Sequence, residues 1–443
     1  MTSEVPEIHT GWGLNLKARG FSANNFEEIR SFREIIRARG VIPSGLSRSY
    51  GDSSISSGGV RLKSSHFKGI FIDALTGLAD CGSGVSIREL EYEAHLKGFL
   101  PPVVPGTSFV TLGGAFASDI HGKSQQTDGN FSDHVALISV IDDEGIERNF
   151  SPESEEFKAT AGGMGLTGFI SRLEIKLKKV DIPMVYQEEV RVRNLSEMLS
   201  TLEGLEAKYP YTVAWIDLSG EYQGRGLISG GRFAVEHEVS KTKKLEFGFE
   251  KSSKVMSVPF LGYFNFMKYP SIRIFNEIWY RKPLKKGLST FPKFMHPLDS
   301  IGNWNQIYGK SGFIQYQFVI PDENREVLHQ VLSLLKKHKV SSFLTVLKKF
   351  GHKGSGYLSF PMPGWTLAMD FASDSNNLSQ VIQALDKMVI SSGGRVYLTK
   401  DSTSSPDLIE LMYRDLGKWK SIKKKMDPSN FWQSDQSRRL NLC

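Results

Sequence analysis

The sequence predicts an α+β protein in two domains, the second built on antiparallel sheet. Length is the first reason: 443 residues exceed the roughly 250–300 at which single hydrophobic cores stop growing. The second is a polar, charged junction at Lys178–Pro183. The third is the mixture beyond it, where alternating strands (Gln187–Val192, Phe313–Ile320, Thr366–Phe371) are interspersed with helical periodicity (Glu326–Lys336, Leu378–Val389), an α+β pattern.

Composition narrows the class. Charged residues make up 23% and aromatics 11%, with no low-complexity tract, so disorder is excluded as the main state. Cys81 and Cys443 sit far apart without a CxxC or Cys/His cluster, which predicts two free thiols and no metal site. The longest apolar stretches, such as Val135–Ile141, fall far short of the roughly 18 residues a spanning helix needs. Met1–Gly20 contains Glu4 and Glu7 and lacks the apolar core of a secretory signal; the expectation is a cytoplasmic protein or one docked peripherally at the inner membrane. Net charge is +7, and residues 251–290 alone hold eight Lys/Arg against the single acid Glu277, interleaved with Phe260, Tyr263, Phe264, Phe266, Tyr269, Phe275, Trp279 and Tyr280.

Taken in order, Phe26, Ile29, Phe32, Ile35 and Ile36 predict a helix over 26–38, and Val41–Ile42 a short strand that runs into a loop of small residues, 44–54. Ile70–Ala74 reads as a strand, Ile87–Lys97 as an amphipathic helix, His134–Asp142 as a buried strand, and Phe169 to Leu177 as a half-buried one. Ser405–Pro406 offers an N-cap and a proline at the first helical position, and Leu408, Leu411, Met412, Leu416 and Trp419 predict one C-terminal helix ending at Asp427–Pro428.

Gly163, Gly165 and Gly168 satisfy G-x-G-x-x-G. That motif reports a dinucleotide fold only when a strand precedes it and a helix follows. Here the strand follows, so the glycines are read as turn and packing positions. Ser44-Gly-Leu-Ser-Arg-Ser-Tyr-Gly-Asp-Ser53 is better evidence, because small residues after a strand expose consecutive backbone N–H groups that can cradle a pyrophosphate. A second small-residue loop, Pro105 to Ala115, leads into Ser118-Asp-Ile-His-Gly-Lys123. Two such loops could enclose the phosphates and flat ring of a flavin nucleotide.

These segments resemble the FAD-binding domain of the vanillyl-alcohol-oxidase and p-cresol-methylhydroxylase type, and within it the decaprenylphosphoryl-β-D-ribose 2′-oxidase family. The resemblance rests on SRSYGDS (47–53), PGTSFVTLGGAFASDIHGK (105–123), GGMGLTGFI (162–170), HPLD (296–299), GFIQYQFVIP (312–321), SFPMPGW (359–365), TKDS (399–402) and the Arg438–Arg439–Leu440 end. It implies the two-domain p-cresol methylhydroxylase-type fold, with an FAD-binding domain over 1–182, a substrate domain over 183–391, and a return to the first domain over 392–443. It also implies FAD contacts from Ser44, Gly45, Leu46, Ser47, Arg48, Ser49, Tyr50, Gly51, Asp52, Ser53, Gly106, Thr111, Leu112, Gly113, Gly114, Ser118, Asp119, Ile120, His121, Ile170 and Tyr397. Relatives that tether FAD covalently use a His where Asp52 stands, so noncovalent FAD is expected.

In such an enzyme a hydride passes from a carbinol carbon to the flavin while a base takes the hydroxyl proton. A cation beside the reduced ring steadies its negative charge, and the resemblance assigns this to Lys400. Tyr50 and His121 are the candidates for the proton. Lys123, Tyr308, Gln315, Gln317 and Lys348 are the implied substrate contacts; Gln315 and Gln317, two apart on a strand, face the same way. Ala368 stands where mycobacterial members carry Cys, and Thr366 where they carry Asn.

The implied reaction is oxidation of the ribose 2′-hydroxyl of a polyprenylphosphoryl ribose, with a separate NAD(P)H-dependent short-chain reductase completing epimerisation to the arabinose form. Partners expected are the lipid-linked pentose phosphate, that reductase and an anionic membrane surface meeting 251–290, with no nucleic acid. Two alternatives stay open: a flavin oxidase of another sugar, a free alditol or an aldonolactone, and a non-enzymatic basic binder of membrane or nucleic acid.

Overall fold

A computed structural model describes residues 5–219, 224–239, 247–250, 256–258, 267 and 269–443. Much of the basic aromatic stretch, including Phe260, Tyr263, Phe264 and Phe266, therefore lies outside the described residues.

The first sheet has the order Glu7–Thr10, Lys17–Ala23, Val60–Lys63, Val41–Ser44. Its last two pairings are parallel, so Val41–Ser44 points its carboxyl end, and the small-residue loop that follows, out of a buried edge. The helix expected over 26–38 is broken into Phe26–Ile29, a 3-10 turn Arg30–Phe32 and Arg33–Arg39. Phe32 leaves helical geometry there (φ −105°, ψ 25°) and packs on Phe21, ring centroids 5.3 Å apart.

The second sheet is antiparallel, in the order Ile70–Ile72, Leu78–Gly82, Phe169–Lys176, Val135–Ile141, Glu147–Phe150. Its central strand follows its predicted alternation: Leu173 and Ile175 are buried, Arg172 and Lys176 exposed.

Among the described residues, eight strands form the third sheet: Lys286–Thr290, Met184–Val192, Gly226–Phe233, Tyr211–Ile216, Thr345–Phe350, Gly364–Ala372, Phe313–Ile320 and Arg395–Val396. Every pairing is antiparallel. The period of two decides what each face does. Tyr316, Phe318, Ile320, Leu367, Met369 and Phe371 turn to the side covered by helices Val327–His338 and Leu378–Ser391. Gln315, Gln317, Val346, Lys348, Thr366, Ala368 and Asp370 are consequently gathered on the opposite side, with Gln315 directly across from Asp370, Gln317 across from Ala368, and Lys348 across from Thr366.

The expected single C-terminal helix is two helices, Pro406–Met412 and Leu416–Met426. Tyr413 breaks the run (φ −115°, ψ 89°) because its buried hydroxyl donates to the Val396 carbonyl at 2.6 Å. Leu411 is left 66% exposed as a result, not on the apolar face assigned to it. Beyond Asp427, Trp432 packs against Val41 and Phe169 in the core of the first sheet, and the last turn, Asp435–Arg439, ends beside Asp52.

Candidate active site

Two loops that each leave a regular element make the first cavity. Gly45, just past the strand Val41–Ser44, lies so close to Thr111 that a Cβ there would fall 2.2 Å from the threonine Oγ1. Thr111 in turn caps helix Leu112–Ala117, accepting from the Gly114 N–H at 3.2 Å. The contact brings the loops together around about 870 Å³ of space, lined by Ser44, Gly45, Leu46, Ser47, Arg48, Ser49, Ser53, Thr111, Gly113, Gly114, Ser118, Ile120 and Ile170 of the predicted set, joined by Met164, Gly165 and Gly168. Buried hydroxyls of Ser54, Ser64 and Ser83 also line it and have no protein partner. Hydroxyl donors and small-residue backbone are the donor set a nucleotide cofactor needs, so the residues present fit the expected group.

Four predicted cofactor contacts reach neither cavity. Gly51 is pressed on the Asp401 carbonyl, 2.0 Å from where its Cβ would be. Asp52 takes two hydrogen bonds from Arg439, 2.9 Å from Nε and 2.7 Å from Nη2. Leu112 is wholly buried in the second-sheet core. Asp119 turns away in a left-handed conformation (φ 38°), accepting from the Ser132 N–H at 3.1 Å and from the Ser359 hydroxyl; burial pushes its carboxyl up to about 6. The side chains of Asp52, Leu112 and Asp119 face backwards because they hold the loops from behind.

The second cavity, about 1080 Å³, shares Arg48, Val110, Ile120 and Thr399 with the first, so the two abut. Tyr50, Gly106, His121, Gln315, Gln317, Lys348, Tyr397 and Lys400 line it, with Trp12 and Trp304. Lys400 Nζ lies 5.0 Å from the Tyr50 ring centroid. Burial pushes its ammonium down to about 8, with Asp370 opposing. Burial takes Lys348 to about 7, reinforced by repulsion from Lys400 and Lys123; its Nζ donates to the Gly122 carbonyl at 3.4 Å and lies 5.6 Å from the Phe350 ring centroid. His121 is held well below its ordinary value by burial, then by Lys348 and Lys400, and its ring is walled by Phe350, Phe360 and Tyr397. Burial raises the Tyr50 phenol.

Two predicted substrate contacts stand outside this lining. Lys123 donates to the Met295 carbonyl at 2.7 Å, and Tyr308 stacks on Phe313 with ring centroids 4.4 Å apart.

Several residues of the site had no role in the sequence reading. Asp299 accepts from the Thr107 hydroxyl (2.5 Å), the Ser108 N–H (2.7 Å) and the Ser108 hydroxyl (2.6 Å). His296 sits between the Pro105 carbonyl (2.9 Å) and the Glu91 carboxylate (2.8 Å). The HPLD segment therefore clamps loop 105–108, part of which lines the second cavity; the motif was visible, its long-range partners were not. Asp370, fully buried, belongs to the same group through Gln315 and Lys400.

Similarity to known proteins agrees with this geometry. Residues 21–151 match the FAD binding domain family. A decaprenylphosphoryl-β-D-ribose oxidase of Mycolicibacterium smegmatis is 34% identical over 98% of this chain and 97% of its own length. The chain belongs to the decaprenylphosphoryl-β-D-ribose oxidase family. A Streptomyces coelicolor relative, an uncharacterized protein in the mprA 5′ region, is 25% identical over 78% of this chain and 96% of its own. Among solved structures, Physcomitrella patens BBE-like 1 superposes with a TM-score of 0.66 at 12% identity, covering 94% of this chain and 90% of that one. That likeness supports the two-domain p-cresol methylhydroxylase-type fold, and membership of the oxidase family makes the chain an FAD-dependent oxidoreductase.

Proposed function

We propose that this member of the decaprenylphosphoryl-β-D-ribose oxidase family oxidises the 2′-hydroxyl of a polyprenylphosphoryl-β-D-ribose to the ketone, using FAD held noncovalently. The observation that carries the reading is the adjoining of the two cavities. One has the small-residue backbone and unpartnered hydroxyls that suit a nucleotide, and the other has cations and amides that suit a sugar phosphate. In this reading residues 1–182 and 392–443 hold the cofactor and 183–391 the substrate.

Bound FAD supplies a ring that takes up the hydride from the carbinol carbon. The chain does the rest. Lys400 opposes the negative charge that transfer creates. Lys348, a cation without a carboxylate within ion-pair distance among the described residues, meets the substrate phosphate. Of the two candidates for the hydroxyl proton, His121 is disfavoured as an acceptor, and Tyr50, whose phenol burial keeps protonated, acts as a relay that hands on its own hydrogen as it takes the substrate's. The Gln317 amide lies 3.2 Å from His121 Nε2 and donates to it, which leaves the ring hydrogen on Nδ1 and no free acceptor on the imidazole. Noncovalent attachment is favoured because the tethering position holds a carboxylate already paired with Arg439.

No described helix is long and apolar enough to cross a membrane. We place the lipid-presenting surface at helix Tyr269–Arg281, where Ile274 and Ile278 are 63% and 68% exposed and Leu284, just beyond, is 42% exposed. Exposed Arg281, Lys285 and Lys286 lie alongside, an apolar and basic combination suited to anionic headgroups. A short-chain reductase is the partner that would consume the ketone.

Anaerobic mixing with a synthetic short-prenyl phosphoribose tests the reading. Loss of the oxidised flavin band by this compound, and not by free alditols or aldonolactones, is expected. Bleaching by the free sugars alone would overturn it.

A further inference from the structure

Gln315 and Gln317 are 5% and 3% exposed, both line the second cavity, and in both the Oε1 atom has no partner. Their amide nitrogens are accounted for. Gln315 Nε2 donates to Asp370 Oδ1, directly across the sheet, and the same amide end hydrogen-bonds the Tyr50 hydroxyl. Gln317 Nε2 donates to His121 Nε2 at 3.2 Å and to Thr366 Oγ1 at 3.0 Å. Thr366 cannot turn its own hydrogen back toward the amide, because that hydrogen goes to the Phe318 carbonyl at 2.8 Å.

An amide has one end that donates and one that accepts, so a neighbour restricted to accepting fixes which end faces the other way. From this geometry we infer that Asp370 and Thr366 are positioning residues that lock both amides with their carbonyl oxygens toward the cavity, selecting a ligand that brings a pair of hydroxyl donors. The inference rests on the reading of this cavity as a sugar site and adds what decides among sugars.

Residues two apart on a strand are separated by roughly 7 Å. The 3- and 5-hydroxyls of a pentose, each donating across about 2.8 Å, span such a pair of acceptors. A buried acceptor left unmatched disfavours an analogue that lacks the donor, which makes the device a filter rather than only an attraction. Asp370 is directly across from Gln315 and Thr366 directly across from Lys348, so neither needs to touch the ligand to act.

The Asp370 carboxyl is faced by Lys400, Tyr50 and Tyr308. Burial pushes it up to about 7, against the Gln315 hydrogen bond and Lys400. Above that value it is a carboxylate and can only accept. Below it, the acid form can also donate to Gln315 Oε1, and the lock on that amide loosens. Lys348 changes charge in the same range, but it would meet the phosphate common to the substrate and its deoxy analogues, so their ratio is insensitive to it.

The test compares kcat/KM for short-prenyl phosphoribose with that for its 3-deoxy and 5-deoxy analogues, in the wild type and in the Asp370→Asn and Thr366→Val variants, following anaerobic flavin bleaching. The wild type at pH 8 is expected to disfavour at least one analogue about tenfold or more, chiefly in KM, and less at pH 6. Asn at 370 and Val at 366 should shrink that ratio severalfold. Should either variant fail to fold, the wild-type pH comparison decides alone. Wild-type turnover that is indifferent to both deletions, or a ratio unchanged by pH and by both variants, would overturn the inference and leave the oxidase reading standing. Absence of bleaching by the parent compound would remove both.

Discussion

Asp52 and Arg439 meet in a two-pronged ion pair although 387 residues separate them. Arg439 also reaches the Asp401 carboxylate at 3.0 Å and the Ser404 carbonyl at 2.7 Å. The carboxyl end of the chain thereby ties the first small-residue loop to the turn that carries Lys400. Burial raises the Asp52 carboxyl despite the guanidinium, so the pair's principal service is to fix geometry.

Removing either partner should cost stability unequally. Arg439→Met strands two carboxylates whose side chains are only 6% and 3% exposed, whereas Asp52→Asn leaves Arg439 with Asp401. The expected loss is about 1–3 kcal/mol for Asp52→Asn and more for Arg439→Met, measured by denaturant titration, with faster release of FAD from the arginine variant. Equal stability of both variants and the parent would refute the brace.

Close backbone approach yields a second prediction. Substitution of Gly45 by Ala drives a Cβ onto Thr111 Oγ1, with the threonine Cγ2 and Cβ 3.0 and 3.1 Å away, so the side chain cannot simply swing aside. The two loops must separate. Purified Gly45→Ala protein should carry little flavin, as judged by the ratio of visible to ultraviolet absorption, while Gly106→Ala, with nothing within 4 Å of its Cβ, should retain it.

Much of this site was legible in the chain and some was not, for separable reasons. Runs such as 44–53 and 111–114 declare themselves because small residues are needed wherever backbone itself must do the binding. Gln315 and Gln317 were visible as a pair because strand periodicity puts them on one face. What Asp370, Thr366, Asp299 and Arg439 do depends on partners brought near by sheet register and chain return, which no local pattern encodes. Asp119 and Leu112 line neither cavity for a related cause: membership of a small-residue run says nothing of which way each side chain turns. Tyr413 interrupts a well-patterned helix because one buried phenol finds the Val396 carbonyl.

Charge in and beside the second cavity predicts pH behaviour. Lys348, Lys400 and Lys123 sit at about 7, 8 and 8 in the folded chain, against about 10.4 when unfolded. Between pH 7 and 10 the unfolded chain binds more protons, so these groups make stability rise with pH across that window. Lys348→Met removes a buried cation and should raise the melting temperature of the ligand-free protein at pH 7 while raising KM for the phosphate-bearing substrate with little change in kcat. A lowered melting temperature would show that Lys348 is a structural group.

Lys400 is expected to behave differently from Lys348, since the charge it opposes develops during turnover. Lys400→Met should keep its FAD and lose about 10²–10³-fold in kcat. In the wild type kcat should fall as pH rises through about 8, and Lys400→Arg, charged throughout, should lose that limb of the profile.

The surface around helix Tyr269–Arg281 supplies the last prediction. Lys282 pairs with Glu189 at 3.1 Å and Lys286 with Glu188 at 2.8 Å, so reversing those charges would disturb the fold as well as any membrane contact. Ile274 and Ile278 are cleaner probes: one helical turn apart on the exposed side, they contribute little to the core and would account for about 1.5–3 kcal/mol each if buried in lipid. Ile274→Glu/Ile278→Glu should leave the melting temperature unchanged and reduce sedimentation with phosphatidylglycerol vesicles at least tenfold, since each 1.4 kcal/mol is about a factor of ten. Both isoleucines also adjoin Phe275 and Trp279, whose rings stack with centroids 5.9 Å apart, so the contact has a rigid aromatic base from which to enter the headgroup layer. Undiminished sedimentation of the double variant would move the lipid-facing surface elsewhere on the protein.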